Sequence, residues 1–253
     1  MPLEALIFDV DGTLAETEEL HRAAFNATFG TFWLDWHWDE ALYRELLKVT
    51  GGKERIRHYI EGWNPAGATM ALARLGDIHA EKNAHYASFM EKKQVIARPG
   101  VLRLIREARA RKITLAIATT TSLPNVEALL KSLLGPASLS WFRVIGAGDQ
   151  VKAKKPAPDV YNHVLTALGC PAAHCIAFED SRNGIEAARQ AGVTIVATPS
   201  FYSDQEDFSG ATTVLSDLGE PGKPFRHLGG AALPKSYVDI DSLEQLLALA
   251  CLA

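Results

Sequence analysis

Cysteine is scarce in this 253-residue chain, which has only Cys170, Cys175 and Cys251. A low, odd count argues against a disulfide framework and fits a reducing compartment. Cys170 and Cys175 flank Ala172-Ala173-His174 but lack the close Cys-x-x-Cys spacing of a zinc site, so they are expected to behave as small apolar residues. Excess positive charge is missing too. The formal net charge is -4, so no bulk basic character draws the chain to nucleic acid or anionic lipid. An anionic substrate would need a local positive site. No apolar stretch reaches membrane-spanning length. The start, Met-Pro-Leu-Glu, leads straight into Ala5-Leu6-Ile7-Phe8 with neither the basic region nor the cleavage site of a signal peptide. A cytoplasmic monomer is the expectation. No repeat or low-complexity tract is visible.

What is present is an alternation of short apolar runs and longer helical patterns. The runs are Ala5 to Phe8, Leu115 to Ala118, Val144 to Ile145, Ile176 to Phe178 and Thr194 to Ala197. Near-continuous apolar runs suit strands buried on both faces of a parallel sheet. Between them, Val101 to Ala108, Val126 to Leu133 and Ile185 to Ala191 carry apolar residues at helical spacing. The order predicts an α/β fold with a doubly wound, Rossmann-like parallel sheet. Hydrophobic residues at 47% and charged residues at 22% are ordinary for a globular protein of this size.

One spacing is anomalous. Roughly a hundred residues separate the first two strands, far more than a crossover needs. The intervening segment is helical by pattern: Glu18 to Phe29, Glu40 to Leu47, Lys53 to Ile60, and one or two helices within Ala66 to Phe89. An insertion there emerges at the carboxyl edge of the sheet, where ligands of such folds bind. Residues 16–92 are therefore expected to form an inserted α-helical cap domain, and residues 1–15 with 93–253 the core domain. Residues 203–235, rich in Gly, Pro and Ser, predict a long irregular connection. Val238 to Ile240 and Ser242 to Leu249 predict a last short strand and helix.

Chemistry gathers at the strand ends. The first strand runs into Asp9-Val10-Asp11-Gly12-Thr13. A turn accounts for Asp11-Gly12 but leaves Asp9, where the buried run should still be paired, unexplained. The fourth strand runs into Glu179-Asp180-Ser181, where a helix cap and a functional carboxylate can coexist. If the first and fourth strands are neighbours, four carboxylates converge. Two such charges 4 Å apart cost about 1 kcal/mol in water and about 4 at an effective dielectric of 20, and a hard cation such as Mg²⁺ relieves this. The hydroxyls of Thr119, Thr120, Thr121 and Ser122 can cap the next helix or donate to phosphate oxygens. Lys155 sits in a lysine cluster, held extended by Pro156 just ahead of a helix from Asp159.

In this order, Asp-x-Asp-Gly-Thr at 9–13, Thr119, Lys155-Pro156 and Glu179-Asp180 resemble the haloacid dehalogenase superfamily. The resemblance implies that Asp9 attacks phosphorus and forms an aspartyl-phosphate. It implies that Asp11 acts as general acid and then base, and that Thr119 and Lys155 hold the phosphoryl oxygens. It places Mg²⁺ on Asp9, the backbone carbonyl of Asp11, Asp180 and Glu179, the last directly or through water. Dehalogenating members lack the second aspartate, so Asp11 implies a phosphatase. A sugar-phosphate mutase resembling β-phosphoglucomutase, or a small-molecule phosphatase of broader specificity, is the alternative, and nothing in residues 9–13 separates mutase from phosphatase.

The cap must recognise the rest of the substrate. Gly51-Gly52 can either end the preceding helix or let backbone amides approach an anion, with Lys53 adding charge. Together, Glu16-Thr17-Glu18-Glu19-Leu20-His21, Thr50-Gly51-Gly52-Lys53-Glu54-Arg55 and the 203–235 region resemble the CbbY-type subfamily. That resemblance implies dephosphorylation of xylulose-1,5-bisphosphate, a Rubisco inhibitor formed alongside the Calvin cycle. Gly51, Gly52, Lys53 and Arg55 are then expected to grip the second phosphate, with Thr120 and Thr121 beside the substrate and Glu16 meeting sugar hydroxyls. His21 can serve as an acid or base behind the site or only hydrogen-bond a neighbouring turn, and the second is the expectation. Trp33, Trp36, His37 and Trp38 are expected to pack the cap. His79 and His85 show no partner.

Overall fold

The structure is a computed structural model that describes residues 2–92 and 95–250. Cys251 and the predicted domain boundary at residue 93 lie outside the described residues. Seven strands form one sheet: β1 (Ala5–Phe8), β2 (Thr114–Ala118), β3 (Phe142–Gly146), β4 (Cys175–Glu179), β5 (Thr194–Ala197), β6 (Thr213–Leu215) and β7 (His227–Gly230). Their order is β3-β2-β1-β4-β5-β6-β7. All neighbours are parallel except β6 and β7. The chain winds outward from β1 through β2 to β3, then returns to β1's other side with β4. That reversal opens a crevice at the carboxyl ends of β1 and β4.

Both faces of the central strands are covered, which is why their sequences read as unbroken apolar runs. Leu6, Phe8, Leu115, Ile117, Ile176 and Phe178 point into one core. The alternate residues Ala5, Ile7, Ala116, Ala118, Cys175 and Ala177 point into the other. Each Leu, Ile or Phe so buried contributes about 1.5–3 kcal/mol of transfer free energy. The helices α6 (Val101–Ala110), α7 (Leu123–Leu134), α8 (Asp159–Leu168), α9 (Arg182–Gln190) and α10 (Ile240–Ala250) supply the covering layers. Cys175 is wholly buried in the second core.

Between β1 and α6 lie five helices among the described residues: α1 (Glu18–Thr31), α2 (Glu40–Leu46), α3 (Gly52–Trp63), α4 (Ala68–Ala73) and α5 (Leu75–Lys92). They enclose an apolar cluster of their own, including Phe25, Phe29, Trp36, Trp38, Tyr43, Ile56 and Ile78. Tyr202, from the loop after β5, is inserted into it. Of the predicted aromatic group, Trp36 and Trp38 are buried. Trp33, at φ 55° past the end of α1, is 95% exposed, and His37 is also exposed.

The C-terminal third corrects two expectations. The Gly- and Pro-rich stretch contains β6 and β7. Val238 to Ile240 is not a strand. Val238 donates a single backbone bond to Leu218, and the Asp239 carboxylate accepts from the Ser242 amide and hydroxyl, opening α10 at Ile240.

Candidate active site

Register places the first set of residues. Phe8 pairs with Phe178, and the amide of Asp9 donates to the Phe178 carbonyl at 3.0 Å. The next residues on each chain, Asp9 and Glu179-Asp180, therefore meet at one edge. Gly12 lets the loop after β1 cross them. Its φ is +80°, and a Cβ there would lie 2.1 Å from Oδ2 of Asp180. Asp9, Glu179 and Asp180 are all buried, with ligand atoms within 4.8 Å of one another.

Lys155, itself buried, is the counter-charge. Its Nζ donates to Asp9 Oδ1 at 2.6 Å, to Glu179 Oε1 at 2.7 Å and to the Ala118 carbonyl at 2.9 Å, using all three N–H bonds. The Tyr161 hydroxyl donates to the same Glu179 oxygen. Among the described residues, Glu179 Oε2 has no hydrogen-bond partner, and it lies 1.8 Å from where a Cβ on Gly184 would stand. One lysine does not balance three carboxylates. Burial, opposed by Lys155, pushes Asp9 up to about 7. Burial and then the Asp9 charge push Asp180 well up. Three buried carboxylates, one with an unpartnered oxygen, fit a hard, oxygen-loving cation.

Asp11 faces the other way, toward the helices between β1 and β2. Its Oδ1 accepts from the Thr17 hydroxyl at 2.5 Å and lies 3.0 Å from His21 Nε2. Lys82 Nζ lies 2.5 Å from the other ring nitrogen of His21, and the imidazole stacks on Tyr86 at 4.1 Å. Burial alone would raise Asp11, but His21 and Thr17 outweigh it and bring it down to about 2. Burial lowers Lys82 to about 7. The expectation that His21 only serves a neighbouring turn is therefore corrected. Lys82 and Tyr161 escaped the sequence reading because each sits within an ordinary helical pattern.

Two cavities adjoin. The smaller, about 70 Å³, is lined by Asp9, Asp11, Thr119, Thr120, Lys155 and Asp180 among others. The larger, about 370 Å³, is lined by Gly51, Gly52, Lys53, Arg55, Thr120 and Thr121, with His79, Lys82, Lys152 and Lys154. Asp11, Glu18, Arg55 and Thr120 border both. Gly51-Gly52 opens α3 and does not end α2, which stops at Leu46. Lys154 reaches across to Glu54 at 2.8 Å. His79 shows the field in the larger cavity, because burial and then Lys82, Lys53 and Lys154 hold its ring neutral, down to about 4. Glu16 lines neither cavity. It lies 3.3 Å from Arg98 Nε and accepts from the Phe201 amide.

An aspartate at the end of the central strand, a lysine against it and an acidic pair on the adjoining strand are the equipment of phosphoryl transfer through a carboxylate. Residues 6–198 match the haloacid dehalogenase-like hydrolase family, and the chain belongs to that family as a phosphatase. It is 50% identical over 218 residues to protein CbbY of Rhodobacter capsulatus, covering 86% of this chain and 95% of that one. It is 47% identical over 220 residues to protein CbbY of Cereibacter sphaeroides, covering 87% and 94%. A crystal structure of a CbbY mutant from Rhodobacter sphaeroides, in complex with xylulose-1,5-bisphosphate, superposes with a TM-score of 0.82 at 46% identity, over 87% of this chain and 96% of that one. Among the described residues, no helix is long and apolar enough to cross a membrane.

Proposed function

We propose that this chain removes one phosphate from xylulose-1,5-bisphosphate, leaving xylulose 5-phosphate, through an aspartyl-phosphate on Asp9. The observation that carries this reading is the adjacency of two cavities. One holds Asp9 against Lys155, and the other is lined by Lys53, Arg55, Lys152 and Lys154. Residues 16–92 serve as the cap.

Asp9 attacks phosphorus while the sugar oxygen leaves, and Thr119 and Lys155 hold the phosphoryl oxygens. To bind phosphate, Lys155 must release one of its three acceptors. Asp11 then takes a proton from the water that opens the aspartyl-phosphate. Its low-lying carboxyl is ionised and ready for that role. Protonating the leaving oxygen, the earlier half of its task, requires Asp11 to give up the donors Thr17 and His21, so that half belongs to another setting of the cap. Asp9, Glu179 and Asp180, with the Asp11 carbonyl, would hold Mg²⁺. When bound, the ion supplies positive charge against the transferring oxygens. Gly51, Gly52, Lys53 and Arg55 grip the second phosphate, with Thr120 and Thr121 between the two ends.

Phosphorus NMR of the products tests the reaction class. One equivalent of inorganic phosphate and a monophosphate sugar are expected. A sugar that keeps its phosphate at a new position would identify a mutase instead.

A further inference from the structure

Glu179 is completely buried, and its two oxygens differ. Oε1 accepts from Lys155 and from the Tyr161 hydroxyl, while Oε2 has no partner among the described residues. Tyr161 stands in the first turn of α8, wholly buried, with its ring centroid 5.5 Å from Lys155 Nζ. It is wholly buried and lines neither cavity. Among the described residues, its hydroxyl bonds Glu179 alone.

The lysine is not committed to Glu179 alone. All three of its N–H bonds are committed, and engaging a phosphoryl oxygen takes at least one of them away. Tyr161 is the second donor on the same oxygen, and its complete burial gives its ring no room to turn away. A carboxylate anchored through one oxygen by a fixed hydroxyl presents the other in a constant direction. Partners of this kind orient metal ligands.

We infer that Tyr161 is a positioning residue for the cation site, fixing Glu179 so that its free oxygen faces a divalent ion whatever Lys155 is bound to. The inference rests on the cation site proposed above. Tyr161→Phe keeps the ring and its packing and removes only the donor. Calorimetric titration with Mg²⁺ in the absence of substrate is expected to show about tenfold weaker binding than the unsubstituted chain. The Mg²⁺ dependence of the rate should shift likewise, with kcat at saturating Mg²⁺ restored to within about twofold. Equal Mg²⁺ affinities, or a loss of kcat that no Mg²⁺ concentration restores, would overturn the inference and leave the cation site standing. Absence of Mg²⁺ binding by the unsubstituted chain would overturn both.

Discussion

His21 Nε2 lies 3.0 Å from Asp11 Oδ1. That contact joins helix α1 to the loop after β1, so the carboxylate we propose as acid and base is set by the helices that cover the site. Asp11→Ala should lower kcat about 10²- to 10⁴-fold. His21→Ala should give a smaller loss in the same parameter, with little change in KM. Initial rates over a substrate series separate the two. A His21→Ala enzyme with an unaltered kcat would show that the contact is only structural.

The unbalanced carboxylates make stability depend on pH and metal together. Asp9 titrates near 7 in the folded chain, against about 3.9 when unfolded. A carboxyl raised in this way favours folding below the unfolded value, and the benefit disappears as pH climbs through the folded one. Metal-free protein should therefore melt at a lower temperature at pH 8 than at pH 5.5. Mg²⁺ should raise Tm more at pH 8, where Asp9 is charged. Asp9→Asn should shrink that difference. Equal Mg²⁺-induced shifts at both pH values would contradict the assignment.

Gly184 is where Glu179 needs space. A Cβ there would overlap the carboxylate at 1.8 Å. Gly184→Ala should weaken Mg²⁺ binding at least about tenfold and destabilise the fold by about 1–3 kcal/mol. Calorimetry and thermal melts check both.

The second-phosphate grip predicts a selective defect. Lys53 is exposed at the mouth of the larger cavity. Lys53→Ala should raise KM for bisphosphates about tenfold or more, the worth of one charged hydrogen bond, and spare monophosphates. Unchanged selectivity between the two substrate classes would count against the grip.

The core was legible because β1, β2 and β4 are buried on both faces, which writes itself as unbroken apolar runs. Asp9 was conspicuous because it interrupts such a run. The helix starts at Glu18 and Glu40 were legible from pattern, whereas β6 and β7 were hidden: β6 is three residues long, and β7, half of it glycine, lies exposed at the edge of the sheet. Val238 misled because an apolar residue beside a helix cap looks like a strand. The groups around Asp11 and Glu179 are brought in by contacts between residues far apart in sequence, 61 positions for Lys82 on His21 and 18 for Tyr161 on Glu179. No local periodicity reports such contacts. The subfamily resemblance implies that Glu16 meets sugar hydroxyls, but the buried guanidinium of Arg98 claims it.

The most direct test of the central claim is phosphate release with Mg²⁺ from xylulose-1,5-bisphosphate, ribulose-1,5-bisphosphate, fructose-1,6-bisphosphate and glucose 1-phosphate, with Asp9→Asn as the blank. The account predicts a strong preference in kcat/KM for the xylulose bisphosphate and no release by Asp9→Asn. Rates spread evenly over the four substrates, or release that survives in Asp9→Asn, would contradict it.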